Sequence, residues 1–192
     1  MTGKQKILDS AYELFCESNF DAVSIRDIGS RAGMTNPALY QHFNSKAALA
    51  EMLYMQCYER LLASVDEHAQ HAVGPVDRVE AYIRGSVALH KARHSPLLFL
   101  EDYQRQFGLR VREVYGDQAI SNRLSSWLLE GQAVGAIRTD VSVEAMTALC
   151  IGQVTKWAMM HSMGVAGRED APEGLVALVR AAIRNPAPAE GG

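Results

Sequence analysis

SIRDIGSRAGMTNPALYQHFNSK, residues 24–46, is the stretch whose reading decides the fold. Ser24 and Asp27 have the spacing of a capping box, with Asp in place of the usual Glu. The serine hydroxyl can accept an orphan backbone N–H, and the acid sits favourably at the positive end of a helix. The pattern predicts a helix of about eight residues that stops at Gly33. Thr35 is a second N-cap, and Pro37 falls just inside the next helix, where its missing N–H costs little. Two short helices joined by a three- or four-residue turn containing Gly match the helix-turn-helix unit. Ile25, Ile28, Leu39 and Phe43 are expected to pack the pair against Leu14 and Phe15. Those two belong to a first helix whose face, Ile7, Ala11, Leu14, Phe15 and Ser18, recurs at helical spacing.

The residues left facing outward carry the functional signal. Thr35, Asn36, Tyr40, Gln41, His42 and Lys46 lie at or just beyond the ends of the second short helix. Hydroxyl, amide, imidazole and ammonium groups are those that contact phosphates and base edges in the major groove. Any solvated helix face could carry such residues. The double cap, the turn and the apolar tripod together set that alternative aside.

Residues 4–53 resemble the DNA-binding domain of the TetR family of bacterial transcriptional repressors. The resemblance rests on Ser24-Ile25-Arg26-Asp27-Ile28, Ala32-Gly33-Met34-Thr35, Leu39-Tyr40-Gln41-His42-Phe43, Ser45-Lys46 and Leu49, preceded by Ile7-Leu8, Ala11 and Leu14-Phe15. It implies that Tyr40 and Lys46 grip phosphates, as does the N-terminal end of the helix that Ser24 and Arg26 begin. It also implies that Thr35, Asn36, Pro37, Ala38, Gln41 and His42 lie at or near the groove. Gly29 departs from the alanine usual in the family and is expected to weaken its helix by up to about 1 kcal/mol.

Charge shapes what such a reader can do. The chain carries 19 basic and 22 acidic side chains, a net charge of -3, which is not the balance of a protein that coats nucleic acid. Up to residue 46, Lys4, Lys6, Arg26, Arg31 and Lys46 are matched by Asp9, Glu13, Glu17, Asp21 and Asp27. Non-specific affinity should be modest, because it scales with the phosphates neutralised. If the family geometry holds, Glu13, Glu17 and Asp21 point away from DNA. A single module reads few bases, so a homodimer on a near-palindromic double-stranded operator is expected.

Beyond the motif, helical periodicity continues and strand alternation is nearly absent, which makes the fold all-α. Leu49, Leu53, Cys57, Leu61 and Val65 mark a long helix toward His71, broken by Gly74-Pro75. Val79, Tyr82, Ile83, Val87 and His90 mark the next, closed by Ser95-Pro96. Leu97 to Tyr103 reads as a short apolar piece, and about Val111 to Ala133 as one long helix. After the turn 135–140, Ser142 or Asp140 caps a helix with Val143, Met146, Leu149, Cys150, Val154 and Trp157 inside. Residues 164–172 read as a loop, Glu173 to about Arg184 as a last amphipathic helix, and 186–192 as a disordered tail. The expected division is a DNA-binding domain over 1–46 and a ligand-binding and dimerisation domain over 47–185. The second assignment comes from the resemblance, supported by the stretch 130–140. It implies that helices at about 142–163 and 173–184 form a four-helix bundle with a second subunit, and apolar Trp157, Met160 and Leu178 fit that role.

A small-molecule effector is likewise implied by the resemblance. Tyr58, His90, Phe99, Tyr103, Trp127, Trp157 and His161 are the candidate contacts, since polar and aromatic groups in apolar surroundings suit such a pocket. The basic run His90-Lys91-Ala92-Arg93-His94 could attract an anion or stabilise a helix C-terminus. No metal or cofactor is expected. Met159-Met160-His161-Ser162-Met163 are consecutive and point apart on a helix, and His68 with His71 and His90 with His94 lack a further ligand and read as solvated surface. No G-x-S-x-G, phosphate loop or His-Glu-x-x-His occurs, so an enzyme is not expected. Cys16, Cys57 and Cys150 read as small hydrophobes in a reducing compartment. With no signal core and no apolar run long enough for a membrane, a cytoplasmic protein is expected.

Overall fold

The computed structural model describes residues 2–18, 20–90, 94–165 and 171–185. Regular structure among them is helical throughout: α1 (Gly3–Glu17), α2 (Ile25–Ala32), α3 (Asn36–Tyr40), α4 (Lys46–Ala69), α5 (Pro75–Leu89), α6 (Pro96–Tyr115), α7 (Ile120–Ala133), α8 (Val143–Ser162) and α9 (Ala171–Ile183). The tail 186–192, residues 91–93 of the basic run and 166–170 of the expected loop lie outside the described residues.

The first three helices form a compact tripod. Ile7, Leu8, Ala11 and Phe15 of α1, Ile28 of α2 and Leu39 and Phe43 around α3 are buried together, with Leu14 and Ile25 packed at the margin. Apolar contact continues into Leu49, Ala50 and Leu53, so α4 is both the last wall of this unit and the first of the larger bundle. Around α4 stand α5 and α6, then α7 and α8, with α9 against α5 and α8.

Two contacts fix how the bundle closes. At the α4–α5 crossing, Ser64 Oγ donates to the Gly85 carbonyl at 2.9 Å. A Cβ on Gly85 would stand 2.8 Å from the Ser64 carbonyl oxygen and 2.9 Å from Val65 Cα, so only glycine allows this approach. On the other side of α5, buried Glu80 accepts from Nε and Nη2 of Arg180 at 2.6 Å each and so joins α5 to α9. Past α7, Arg138 forks onto Asp140 at 2.7 and 2.6 Å, and its backbone N–H donates to the Ile183 carbonyl at 2.9 Å. That leaves Ser142, whose hydroxyl accepts the Ala145 N–H at 3.2 Å, to cap α8.

Two expectations need correction. Leu97–Tyr103 is not a short piece, and Val111–Ala133 is not one helix. Pro96 stands at the start of a twenty-residue α6, and the break falls at Gly116, with φ 48° and ψ -121°. That conformation requires glycine and ends the helix, whatever the apolar period on either side. A single 3₁₀ turn, Gly116–Gln118, then leads into α7. The second correction is His90. It is not solvated surface but fully buried at the end of α5, and neighbouring His94 is partly covered with a left-handed φ of 54°. No helix among the described residues is long and apolar enough to cross a membrane. Cys57 and Cys150 are buried and Cys16 partly so; burial pushes all three thiols up to about 12, which makes them poor nucleophiles.

Candidate nucleic-acid interface and interior pocket

The capping box at α2 is complete. Ser24 Oγ accepts the Asp27 N–H at 3.2 Å, while Asp27 Oδ2 accepts the Ser24 N–H at 2.8 Å and its hydroxyl at 2.6 Å. These bonds, the hydroxyl's first, hold the Asp27 carboxyl below its ordinary range. Gly33 ends α2 in the left-handed region at φ 66°. Thr35 Oγ1 then accepts the Ala38 N–H at 3.4 Å to start α3, with Pro37 in its first turn. Gly29 has a role that helix propensity alone does not suggest. Its carbonyl accepts the Met34 N–H at 2.8 Å, and a Cβ there would stand 2.9 Å from the Met34 carbonyl oxygen. The missing methyl lets the turn close tightly on α2.

Most of the expected DNA-facing residues are uncovered. Ser24 and Arg26 at the start of α2 are exposed, as are Thr35, Asn36, Pro37, Gln41 and His42 around α3, and Ala38 is half-buried. Tyr40 is 52% exposed, although it sits between buried Leu39 and Phe43. Arg31 reaches back to α1, 2.9 Å from Glu17 and 3.5 Å from Glu13. Those two acids therefore serve α1–α2 packing.

Lys46 departs from its expected role as an outward phosphate anchor. Its ammonium donates to the carbonyls of Phe20 at 2.7 Å and Val23 at 2.8 Å and lies 4.1 Å from the centre of the Phe20 ring. The side chain fastens the α1–α2 connection to the head of α4. A long flexible cation beside unsatisfied loop carbonyls finds its partners there, before any ligand arrives.

A cavity of about 430 Å³, open to solvent where Glu101, Gln104, Leu109 and Arg112 are exposed, lies between α4, α5, α6, α7 and α8. Tyr54, Tyr58 and Tyr82 contribute phenols to it, Leu61, Leu97, Leu100, Val111 and Ile151 apolar wall, and Glu101, Gln104 and Arg112 a polar stripe of α6. Tyr54 donates to Gln104 Oε1 at 2.7 Å, and Tyr58 Oη accepts the Ile120 N–H at 2.7 Å. Burial raises all three phenol pKa values, so they remain neutral donors.

The seven residues expected to surround a ligand do not converge. Of them, Tyr58 alone lines this cavity. Phe99 and Tyr103 face the other way on α6, with ring centres 4.5 Å apart, and meet Tyr12 at 5.2 Å and Phe15 at 6.1 Å respectively. Trp127 packs under Arg123 on α7. His90, Trp157 and His161 form a separate cluster. His90 Nδ1 is 2.8 Å from Ser95 Oγ and its Nε2 is 3.0 Å from His161 Nδ1, with Trp157 5.1 Å from His90 and 5.4 Å from His161 by ring centres. The pocket residues that sequence reading passed over, Glu101, Gln104 and Arg112 with Gly108 between, recur at helical spacing along α6. That stripe is readable only once α6 is drawn as a single helix.

Residues 7–53 match the family model described as bacterial regulatory proteins, tetR family. The chain is 26% identical over 144 residues to the HTH-type transcriptional repressor KstR2 of Rhodococcus jostii, covering 73% of this chain and 71% of that one. It is 21% identical over 173 residues to the HTH-type transcriptional activator FasR of Mycolicibacterium smegmatis, covering 89% and 78%. The solved structure of the ketosteroid transcriptional regulator KstR2 of Mycobacterium tuberculosis superposes with a TM-score of 0.75 at 19% identity, over 96% of each chain.

Residues 7–53 belong to the TetR family of bacterial regulatory proteins. TetR-family regulators bind DNA, act as dimers with small-molecule effectors and are not enzymes. On α8 and α9, Leu149, Gly152, Gln153, Lys156, Trp157, Met160 and Leu175 surround a shallow hollow. Met160 is exposed there, and Met159 and Leu178 are exposed elsewhere on the same two helices. Trp157, expected to add to a subunit interface, lines the hollow while most of its ring is buried against His90.

Proposed function

We propose that this regulator is a ligand-responsive repressor. A homodimer would hold two copies of α3 in successive major grooves of a near-palindromic operator, and a small molecule in the interior cavity would release it. The observation that carries the reading is the uncovered face of α3. Thr35, Asn36, Pro37, Tyr40, Gln41 and His42 lie at or beside it, and buried Leu39 and Phe43 orient it from behind. Residues 1–46 serve as reader, residues 47–185 as the effector and dimerisation part, and the outer face of α8 and α9 joins the two copies. The cytoplasm, where the DNA is, is the proposed place of action.

Coupling between cavity and reader has a packed route. Tyr54, on the cavity wall, meets Phe107 at 5.7 Å between ring centres; Phe107 meets Tyr103 at 6.3 Å, and Tyr103 meets Phe15 of α1. Beside this row, the Tyr12 hydroxyl of α1 donates to the His94 carbonyl at 2.7 Å, just before α6 begins. A ligand that moves α6 would therefore move α1. It must prefer the arrangement that cannot span the operator, since equal affinity for both states shifts nothing.

Selection of genomic fragments at moderate salt, followed by footprinting, tests the reading. The expected result is a protected site with two inverted half-sites whose centres are roughly 34–36 Å apart. Absence of any selected sequence would overturn it. Activation is the second reading, favoured by the similarity to FasR. A reporter assay with and without the gene separates the two by the direction of the change.

A further inference from the structure

The two ends of the interior cavity differ in what they leave unsatisfied. At the end where α6 gives way to α7, Tyr58 is 8% exposed. Its hydroxyl oxygen accepts the Ile120 N–H, and its own O–H has no acceptor among the described residues. Arg112 lines the same end from the exposed side of α6, where its guanidinium faces solvent with no hydrogen-bond or ion-pair partner among the described residues. The N-cap of α7 is Ala119, which offers no side-chain cap, so the positive end of that helix lies here as well. At the other end stands a carboxylate, Glu101, about 16 Å away along α6 at the rise of an α-helix. Between them the wall is largely apolar, with Leu61, Leu100 and Ile151, and Gln104 is already engaged by Tyr54.

A buried hydroxyl without an acceptor, beside a fixed positive charge at the mouth of the cavity, favours an acceptor with negative charge. Glu101 repels such a group from the far end, and the walls between favour hydrocarbon. We propose that the cavity binds an elongated apolar carboxylate. Its carboxyl group is held at the α6–α7 end by Arg112 and the Tyr58 hydroxyl, and its hydrocarbon body runs along Leu61, Leu100 and Ile151 toward Glu101. An amine of the same length meets Arg112 as a like charge, and an alcohol leaves the guanidinium without its counter-charge. The assignment rests on the cavity being the effector site proposed above, and it adds the class of effector.

Titration calorimetry of the intact chain with octanoate, decanoate and dodecanoate tests the assignment, with dodecylamine, dodecanol and a neutral steroid ketone as contrasts. Carboxylates should bind more tightly as the chain lengthens, and the contrasts more weakly than dodecanoate. Arg112→Gln should weaken dodecanoate binding roughly ten- to hundredfold and Tyr58→Phe about three- to tenfold, the ranges for charged and neutral hydrogen bonds. Arg105→Gln, away from the cavity, should leave it unchanged. Failure of every carboxylate to bind, equal binding of the amine or the ketone, or an unchanged affinity in Arg112→Gln would overturn the proposal. Operator release is measured separately. If the carboxylates bind as expected and the operator stays bound, the ligand class stands and the effector reading falls. If a different compound releases the operator and no carboxylate binds, the reverse holds.

Discussion

The helices of the proposed reader and three of those in the proposed effector part begin in different ways; α8, capped by Ser142, follows the reader's pattern. Each of α1, α2, α3 and α4 starts on a hydroxyl that accepts a backbone N–H: Thr2 at 3.3 Å, Ser24 at 3.2 Å, Thr35 at 3.4 Å and Ser45 at 3.0 Å. In contrast, α5, α6 and α7 start at Gly74, Ser95 and Ala119 with no side-chain bond from the capping residue. The reader is thus specified by neighbours in sequence, and each of its short helices has a local reason to start where it does. In α5 the Asp77 carboxylate still accepts the Gly74 N–H at 3.2 Å, whereas α6 and α7 are placed chiefly by what they pack against. A part built that way changes shape when its contacts change, as a sensor needs to, whereas a reader needs fixed geometry.

The largest test of this contrast is at the α4–α5 crossing, where no local signal operates. Gly85→Val forces a side chain against the Ser64 carbonyl and Val65 backbone, which cannot retreat without moving α4. Overpacking of this kind costs about 3 kcal/mol, against a gain of less than about 1 kcal/mol from replacing a mid-helix glycine. Thermal unfolding should show a clear drop in melting temperature. An unchanged midpoint would mean that α4 and α5 can separate at no cost, and that packing does not define the effector part as supposed.

The same contrast explains what could be read from the sequence. The helix-turn-helix was legible because its signals are contiguous: Ser24 with Asp27, Gly33, Thr35 and Pro37 each act over three or four residues. The α6–α7 division was not, because the apolar period runs on across Gly116 and only the backbone angles there reveal the break. The candidate pocket failed for a related reason. Aromatic residues were gathered by type, but Phe99 and Tyr103 lie on the α1-facing side of α6 and Gln104 and Arg112 on the cavity side. Lys46 was misplaced because its carbonyl partners, Phe20 and Val23, lie more than twenty residues away.

Lys46 offers the next test, since it is a long-range contact inside the locally specified half. Lys46→Met leaves the Phe20 and Val23 carbonyls without their charged donor and should cost about 2 kcal/mol of stability. A phosphate anchor would behave otherwise. Its removal would leave the melting temperature unchanged and lower the salt slope of DNA binding by about one. Thermal unfolding and a salt series on the selected operator separate the two roles, and the structure favours loss of stability with the slope retained.

Tyr40 should show the opposite pattern. Its ring is half-exposed beside the buried Leu39 and Phe43, and its hydroxyl has no protein partner among the described residues. Tyr40→Phe is expected to leave unfolding unchanged and to weaken operator binding by about 1 kcal/mol, the typical net value of one hydrogen bond. A binding isotherm that matches the wild type would remove Tyr40 from the interface and shift the weight to Gln41 and His42.

The smallest effect concerns the capping box itself and is seen as a dependence on pH. Asp27 has its carboxyl pKa lowered in the folded chain by the Ser24 hydroxyl and N–H. A group whose folded pKa lies below its unfolded value, about 3.9 for Asp, contributes its full stabilisation above that value. It loses the contribution as the pH falls through the folded pKa. Asp27→Asn keeps an acceptor for the Ser24 N–H but removes the charge at the N-terminus of α2. The variant should therefore be less stable than wild type at neutral pH, and the difference should close as the pH is lowered below the ordinary carboxylate value. Denaturant midpoints measured across that range decide the matter. If the gap between the two proteins is independent of pH, the charge adds nothing to the cap, and the reader's local specification reduces to hydroxyls and turn residues alone.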